Sequence, residues 1–239
     1  MSLTATKTVR ELAVEIPNAT RVFEKLGIDY CCGGARSLEE ACQAANLSID
    51  QVLDQLNGAA QPAVSAERDW QAAPLADLVE HIVSTHHKYV REETARLHPL
   101  LAKVCKVHGQ NHPELHAIND TFDGLAQELT MHMMKEEVVL FPHIVRMEEA
   151  ALQKEPVLPS AFGTVQHPVH MMMQEHDSAG DALRKLREVS NGYQAPPDGC
   201  FSYRTLYQAL EAFEADLHQH IHLENNILFP RAVDMESAG

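Results

Sequence analysis

Positive charge is scarce in this 239-residue chain: 19 lysines and arginines stand against 34 aspartates and glutamates, for a formal charge of -15. Such a surface repels phosphate backbones and anionic lipid headgroups, so neither nucleic acid nor a membrane is an expected partner. Long apolar runs are missing too. No stretch approaches the roughly 18 to 20 residues that a membrane helix needs, and the opening MSLTATKTVREL lacks the apolar core of a signal peptide. The expected location is therefore cytoplasmic. Cysteine is sparse and odd in number, five in all with Cys31 and Cys32 adjacent, which suits reduced thiols rather than a disulfide framework. Tryptophan occurs once, at Trp70. What the chain does have is 45% apolar residues, enough for a sizeable core without a metal to hold it, and 15 histidines, several inside apolar helical patterns.

Residues 1–58 read as a small all-helical unit, because capping-box signatures recur in quick succession: Thr8 with Glu11, Ser37 with Glu40, Ser48 with Gln51. Between its second and third helices lies Asp29-Tyr30-Cys31-Cys32-Gly33-Gly34, whose glycines open backbone conformations closed to other residues. That loop can present both sulfurs at a helix junction. Periodicity then lapses, and with Gly58, Pro62 and Pro74 as breakers residues 59–74 read as a linker that Trp70 pins to one domain. Residues 75–239 predict four long helices with short connections, hence an all-α chain ending in an antiparallel four-helix bundle. The first starts at Leu75, is kinked or broken at Pro99 and ends at His108-Gly109; the second runs from about Pro113 to Met147, with Pro142 bending its last turns. The third follows the Pro159 to Pro168 region and stops at Asn191-Gly192; the fourth carries Leu206 to Leu228.

The bundle contains one unit twice. Met131 to Pro142, MHMMKEEVVLFP, holds His132 and Glu136 four residues apart, and His220 to Pro230, HIHLENNILFP, repeats the His, the Glu, the apolar pair and a Phe-Pro stop. At that spacing both side chains leave one helix face about a turn apart. Upstream, His87 precedes His132 by 45 residues and His176 precedes His220 by 44, so each helix pair reads His, then His-x-x-x-Glu. Two such hairpins folded together bring four imidazoles and two carboxylates into one layer. Burying two carboxylates alone costs several kcal/mol, which a pair of cations offsets. Counting donors for two six-coordinate metals leaves about one open position on each for a small ligand such as nitric oxide, oxygen or peroxide. Mixed imidazole and carboxylate ligation suits iron, with manganese or zinc also compatible with the ligand types.

Glu128 lies one turn before His132 and Asp216 one turn before His220, where either could accept a ring N–H and hold the tautomer; Glu175, beside His176, points about 100 degrees away and lines an access route. His108 falls on the first helix's apolar stripe but roughly 30 Å from His87 and is set aside. His81, His86, His143, His167, His170, His218 and His222 read as surface or cap histidines, with His87 preferred to His86 because it continues the 79, 83, 87 stripe. The methionines at 131, 133, 134 and 171–173 read as core filler. Cys42, Cys105 and Cys200 read as structural. Adjacent cysteines bond to each other only with strain, so Cys31 and Cys32 are open to two readings, a reactive dithiol or a buried structural pair.

The YCCGG loop, His87, HMMKEE at 132–137, EHDSAG at 175–180 and HIHLENNILFPRA at 220–232 together resemble the repair-of-iron-centres family of the YtfE/ScdA type, over nearly the whole chain. The resemblance implies a ScdA-like N-terminal helical domain over 1–58 and a hemerythrin-like four-helix bundle over 75–239 holding two iron ions, oxo- or hydroxo-bridged. It implies His87, His132, Glu136, His176, His220 and Glu224 as ligands, the two glutamates bridging, with Cys31 and Cys32 as a thiol relay. The function it implies is repair of iron-sulfur clusters damaged by nitrosative and oxidative stress, by an iron donor rather than a conventional turnover enzyme. Damaged iron-sulfur proteins are then the partners, and nitric oxide or another diatomic the ligand; the chain is a monomer or a homodimer. The rival readings are a di-iron enzyme that reduces nitric oxide or peroxide, and a module that binds or senses a diatomic gas. Hemerythrin itself carries a second histidine one turn before the residue equivalent to His176; Met172 stands there, which leaves a more open metal.

Overall fold

A computed structural model describes residues 6–16, 18–59, 68–156 and 160–238. Pro17, Pro159 and residues 60–67 of the expected linker, Pro62 among them, lie outside the described residues. Four short helices come first: α1 (Val9–Glu15), α2 (Ala19–Leu26), α3 (Leu38–Ala44) and α4 (Ile49–Ala59). Four long ones follow, α5 (75–108), α6 (114–153), α7 (Gln166–Val189) and α8 (201–238). Among the described residues there is no strand, and no helix is long and apolar enough to cross a membrane.

The capping boxes at Thr8 and Ser37 both form, each hydroxyl accepting from the backbone N–H three residues on while that residue's glutamate accepts from the cap N–H. Two orphan donors at each helix start are thereby satisfied. The four short helices bury Val9, Leu12, Phe23, Leu38, Cys42, Val52 and Leu56 in one apolar cluster with Leu97, Leu101, Phe122, Leu210 and Phe213 of the long helices. A second cluster, including Leu78, Ile82, Phe141, Ile144, Val169, Leu228 and Phe229, closes the other end of the bundle. The histidine and glutamate layer lies between the two.

Three of the long helices are not uniform α-helices. Each contains one widened π turn, at Ile82–His87, Glu136–Leu140 and Glu224–Leu228. The expected Phe-Pro stops are not stops: after Phe141-Pro142 the helix continues to Gln153, and after Phe229-Pro230 to Ala238. Proline lacks an N–H and its ring crowds the carbonyl four residues back. A π turn immediately before it relieves that crowding without ending the helix. Pro99 likewise neither breaks nor ends α5, which runs through to His108; it sits on the exposed face, where water can reach the carbonyl that loses its donor.

The N-terminal helices dock through the cysteine loop. Asn226 on α8 donates to the Tyr30 carbonyl (2.9 Å), and Gln219 donates to the Tyr30 hydroxyl (2.9 Å) and to Glu24 (3.0 Å). Within the loop, Asp29 Oδ1 accepts from the Cys31 and Cys32 amides at 3.1 and 3.0 Å, an Asx turn in which the Cys31 thiol also donates to Asp29 (3.4 Å) while the Cys32 side chain reaches the bundle. Gly34 is required there, since a Cβ would stand 2.6 Å from the Tyr30 carbonyl oxygen. Gly34→Ala should therefore open the loop, lowering stability by about 1–3 kcal/mol as overpacking does. Helix content should hold while Cys31 becomes faster to alkylate, as read by iodoacetamide labelling and mass spectrometry.

Candidate metal centre

Three of the six site residues, His87, Glu136 and Glu224, lie on the π turns. Glu136 and Glu224 each open one, four residues after the histidine on the same helix, and His86 and His87 end the third. Widening each helix at this level aims consecutive side chains inward where an α-helix would rotate one of them away. His87, His132, Glu136, His176, His220 and Glu224 are all buried.

Their donor atoms form two overlapping quartets. His87, His220, Glu136 and Glu224 offer one atom each within 4.8 Å of one another, and His132, His176, Glu136 and Glu224 do the same. The histidines pair across helices rather than within hairpins: His87 Nε2 faces His220 Nε2 at 3.0 Å, and His132 Nε2 faces His176 Nε2 at 3.0 Å. Each carboxylate reaches both pairs. Glu136 points Oε2 at His87 (3.4 Å) and Oε1 at His132 (3.3 Å); Glu224 points Oε1 at His220 (3.0 Å) and Oε2 at His176 (3.1 Å). Phe141 stacks on His87 at 5.7 Å and Phe229 on His176 at 6.0 Å, so the Phe-Pro units wall the imidazoles in.

The donor set fits a pair of cations. Both carboxylate oxygens of Glu136 and one of Glu224 are buried without a hydrogen-bond partner, a cost of several kcal/mol unless charge compensates it. Metal-free, the compensation comes from protons. Burial disfavours the charged form of His87, but Glu136 and Glu224 outweigh it and raise its pKa to about 10. His132 is raised to about 9, with Glu136 again overcoming burial. Burial works against both carboxylates too, yet the facing imidazoles hold Glu136 low and Glu224 well below the usual range. His220, wholly enclosed, is lowered by burial.

With every Nε2 aimed at the centre, three of the four Nδ1 atoms bond a side chain on the next helix. His87 Nδ1 donates to Glu137 Oε1 (2.6 Å), which the Arg91 guanidinium also holds. His132 Nδ1 donates to Glu175 Oε2 (2.8 Å), and Lys135 binds the other oxygen. His176 Nδ1 donates to Asn225 Oδ1 (2.8 Å), while His220 Nδ1 has no partner. Of the three acids singled out from spacing, Glu175 meets an imidazole of the quartets, that of His132. Glu128 is exposed and makes no bond to His132, and Asp216 bonds His86 Nδ1 (3.0 Å) instead of His220. Glu137 and Asn225 were missed, although each directly follows a glutamate of the repeated unit. His86, His143 and His222, expected at the surface, are buried. His108 lies outside the centre beside Cys200, its Nε2 3.2 Å from that sulfur.

Two openings approach one side of the layer. A cavity of about 440 Å³ is lined by His132, His176, Glu128 and Glu175, and a second of about 350 Å³ by Met172, Phe162 and Glu175, with Lys135 on both. Behind the same helix, Cys32 Sγ donates to the His176 carbonyl (3.3 Å) and stands 3.8 Å from Cys31 Sγ. The neighbouring Cys32 sulfur, and then burial, push the Cys31 thiol well up, which keeps it protonated.

Both parts of the chain are similar to known proteins. The family model described as the hemerythrin HHE cation binding domain matches residues 78–232, and the model ScdA_N, a domain of unknown function, matches residues 5–60. An iron-sulfur cluster repair protein YtfE from Pectobacterium atrosepticum is 39% identical over 224 residues, covering 93% of this chain and 95% of that one. A probable iron-sulfur cluster repair protein from Haemophilus influenzae is 35% identical over 231 residues, covering 96% and 98%. A YtfE protein from Escherichia coli is 36% identical over 223 residues, covering 93% and 94%.

Because His87 and His132 are protonated at neutral pH when metal-free, loading two cations at pH 7 should release about two protons. Calorimetry in buffers of different ionisation enthalpy measures this directly. Affinity should rise with pH and level off above about 9 to 10, where both imidazoles are already neutral. The metal-free protein has the opposite trend: the stability from these two raised pKa values is whole below about 6.5 and is lost as pH climbs through 9 to 10.

Proposed function

This chain belongs to the family of YtfE-type iron-sulfur cluster repair proteins, and from that premise we propose that it holds two iron ions and repairs iron-sulfur clusters damaged by nitrosative and oxidative stress. The observation that carries the reading is the pair of quartets sharing Glu136 and Glu224. Each position would take two imidazoles and one oxygen from each glutamate, with an oxo or hydroxo bridge completing the link. When bound, the irons supply Lewis acidity, one-electron chemistry and, in repair, an ion for transfer.

The protein's own groups define where that chemistry is accessible. Glu137 and Glu175 fix the tautomers of His87 and His132 so that both Nε2 atoms face the centre. The His132 and His176 side borders the larger cavity, so a small molecule, or an ion in transit, meets that side first. The dithiol lies against the backbone of His176, where Cys31 and Cys32 offer soft ligands to iron or reducing equivalents beside the same position. The same cavity favours a second reading, reduction of nitric oxide or peroxide at the centre.

Iron quantitation combined with reactivation of a nitric-oxide-damaged cluster enzyme tests the proposal. Glu136→Ala should lose both iron and repair; the double variant Cys31→Ala/Cys32→Ala should keep its iron and lose repair. Iron-loaded wild type that reactivates no damaged enzyme would sink the proposal, and multiple-turnover consumption of nitric oxide or peroxide without iron loss would select the reductase.

A further inference from the structure

Outside the metal layer, an unbroken run of aromatic rings joins the protein surface to one ligand of the centre. Trp70, the only tryptophan, stacks on His81 with ring centres 4.5 Å apart and planes at 25°. His81 meets His86 edge-on at 5.6 Å, and His86 lies parallel to His220, 5.7 Å away with the planes within 6°. Trp70 and His81 are partly exposed, whereas His86 and His220 are buried. Every ring of the run is held in place. Arg231 donates to the Trp70 carbonyl (2.8 Å) and the Arg68 guanidinium lies 4.9 Å over the indole. Thr85 bonds His81 Nδ1 (3.3 Å), and Asp216 holds His86 Nδ1 (3.0 Å).

The local two-fold arrangement makes this run conspicuous. In one half, the residue before His176 is Glu175, which accepts the Nδ1 proton of His132. In the other half, the residue before His87 is His86, which offers His220 a ring face and leaves its Nδ1 without an acceptor. A carboxylate at position 86 would have satisfied His220 but ended the run of rings.

We propose that Trp70, His81 and His86 form an electron path that ends on His220, with Trp70 as its surface terminus. The proposal rests on the reading of the centre as redox-active iron. Electronic coupling falls steeply with the gap between groups, so rings in contact carry an electron where a comparable empty distance would not. Indole is the most easily oxidised ring of the run. Imidazole is far harder to oxidise, so His81 and His86 are the medium between Trp70 and the metal position and hold no charge themselves. In the step, Trp70 gives one electron inward to an oxidised metal position and its indole N–H proton to solvent. A one-electron donor of the flavin-carrier class then restores the neutral indolyl radical with one electron, and solvent returns the proton.

Since Trp70 is the sole tryptophan, its fluorescence and mass report on the path without an activity assay. Iron-loaded protein treated with stoichiometric hydrogen peroxide should lose Trp70 fluorescence and gain oxygen at that indole; the Glu136→Ala variant, which holds no iron, mixed with the same peroxide and an equal amount of free iron should not. His81→Leu, compared at equal iron content, should slow the loss several-fold, and His81→Phe should restore most of it by returning a ring. Equal loss in the iron-free control, no slowing in His81→Leu, or no oxidation of Trp70 in the loaded wild type would overturn the path. A protein that takes up no iron, seen by metal quantitation before peroxide is added, instead overturns the reading of the centre.

Discussion

Two carboxylates buried side by side govern this structure. Glu136 and Glu224 are fully enclosed, and each addresses two imidazoles that belong to different helices. Charge in such a place has to be balanced, by protons on His87 and His132 or by cations in the two quartets. Either solution draws the four long helices to a common level. The apolar clusters above and below then fix the spacing that the charges need.

Local distortion of the helices serves that constraint. Proline after phenylalanine in each repeated unit is accommodated by a π turn, and the π turn is where the glutamate and the residue after it both find inward-facing roles. Glu136 and Glu137 serve the centre together, one facing His132 and His87 and the other holding His87 from behind; Glu224 and Asn225 repeat the pattern around His176. One feature of sequence, Glu-x-x-x-x-Phe-Pro, thus supplies a carboxylate that reaches both histidine pairs, its backing neighbour and an aromatic wall.

The two halves are nonetheless unequal, and the inequality points to function. The His132 and His176 side has the cavity, the Lys135–Glu175 pair at its edge and the dithiol behind it. The His87 and His220 side is closed by Phe141 and His86, and through His86 it contacts the rings that lead out to Trp70. On the proposed function, small molecules and thiols would address one metal position while electrons would reach the other. That separation lets chemistry and electron supply use different faces of one bundle.

Much of the site was legible because its signals are local. His-x-x-x-Glu is a single-helix pattern, its second copy sits at matched distance from an upstream histidine, and the capping boxes at Thr8 and Ser37 are contained within four residues each. The acids at 128 and 216 show where local reasoning stops. Spacing of one turn puts them on the ligand's own face, but an imidazole whose Nε2 points to the bundle axis directs Nδ1 to the neighbouring helix. Its partner therefore comes from elsewhere in the chain, as Glu137, Glu175 and Asn225 do. The amino-acid sequence by itself determined the all-helical class, the repeated unit and the six candidate donor residues, since these follow from periodicity and spacing. Only the tertiary structure decided which histidines face each other, which groups hold them, and that the dithiol loop and Trp70 meet the two sides of one centre, because those relations depend on how separate helices are rotated and packed.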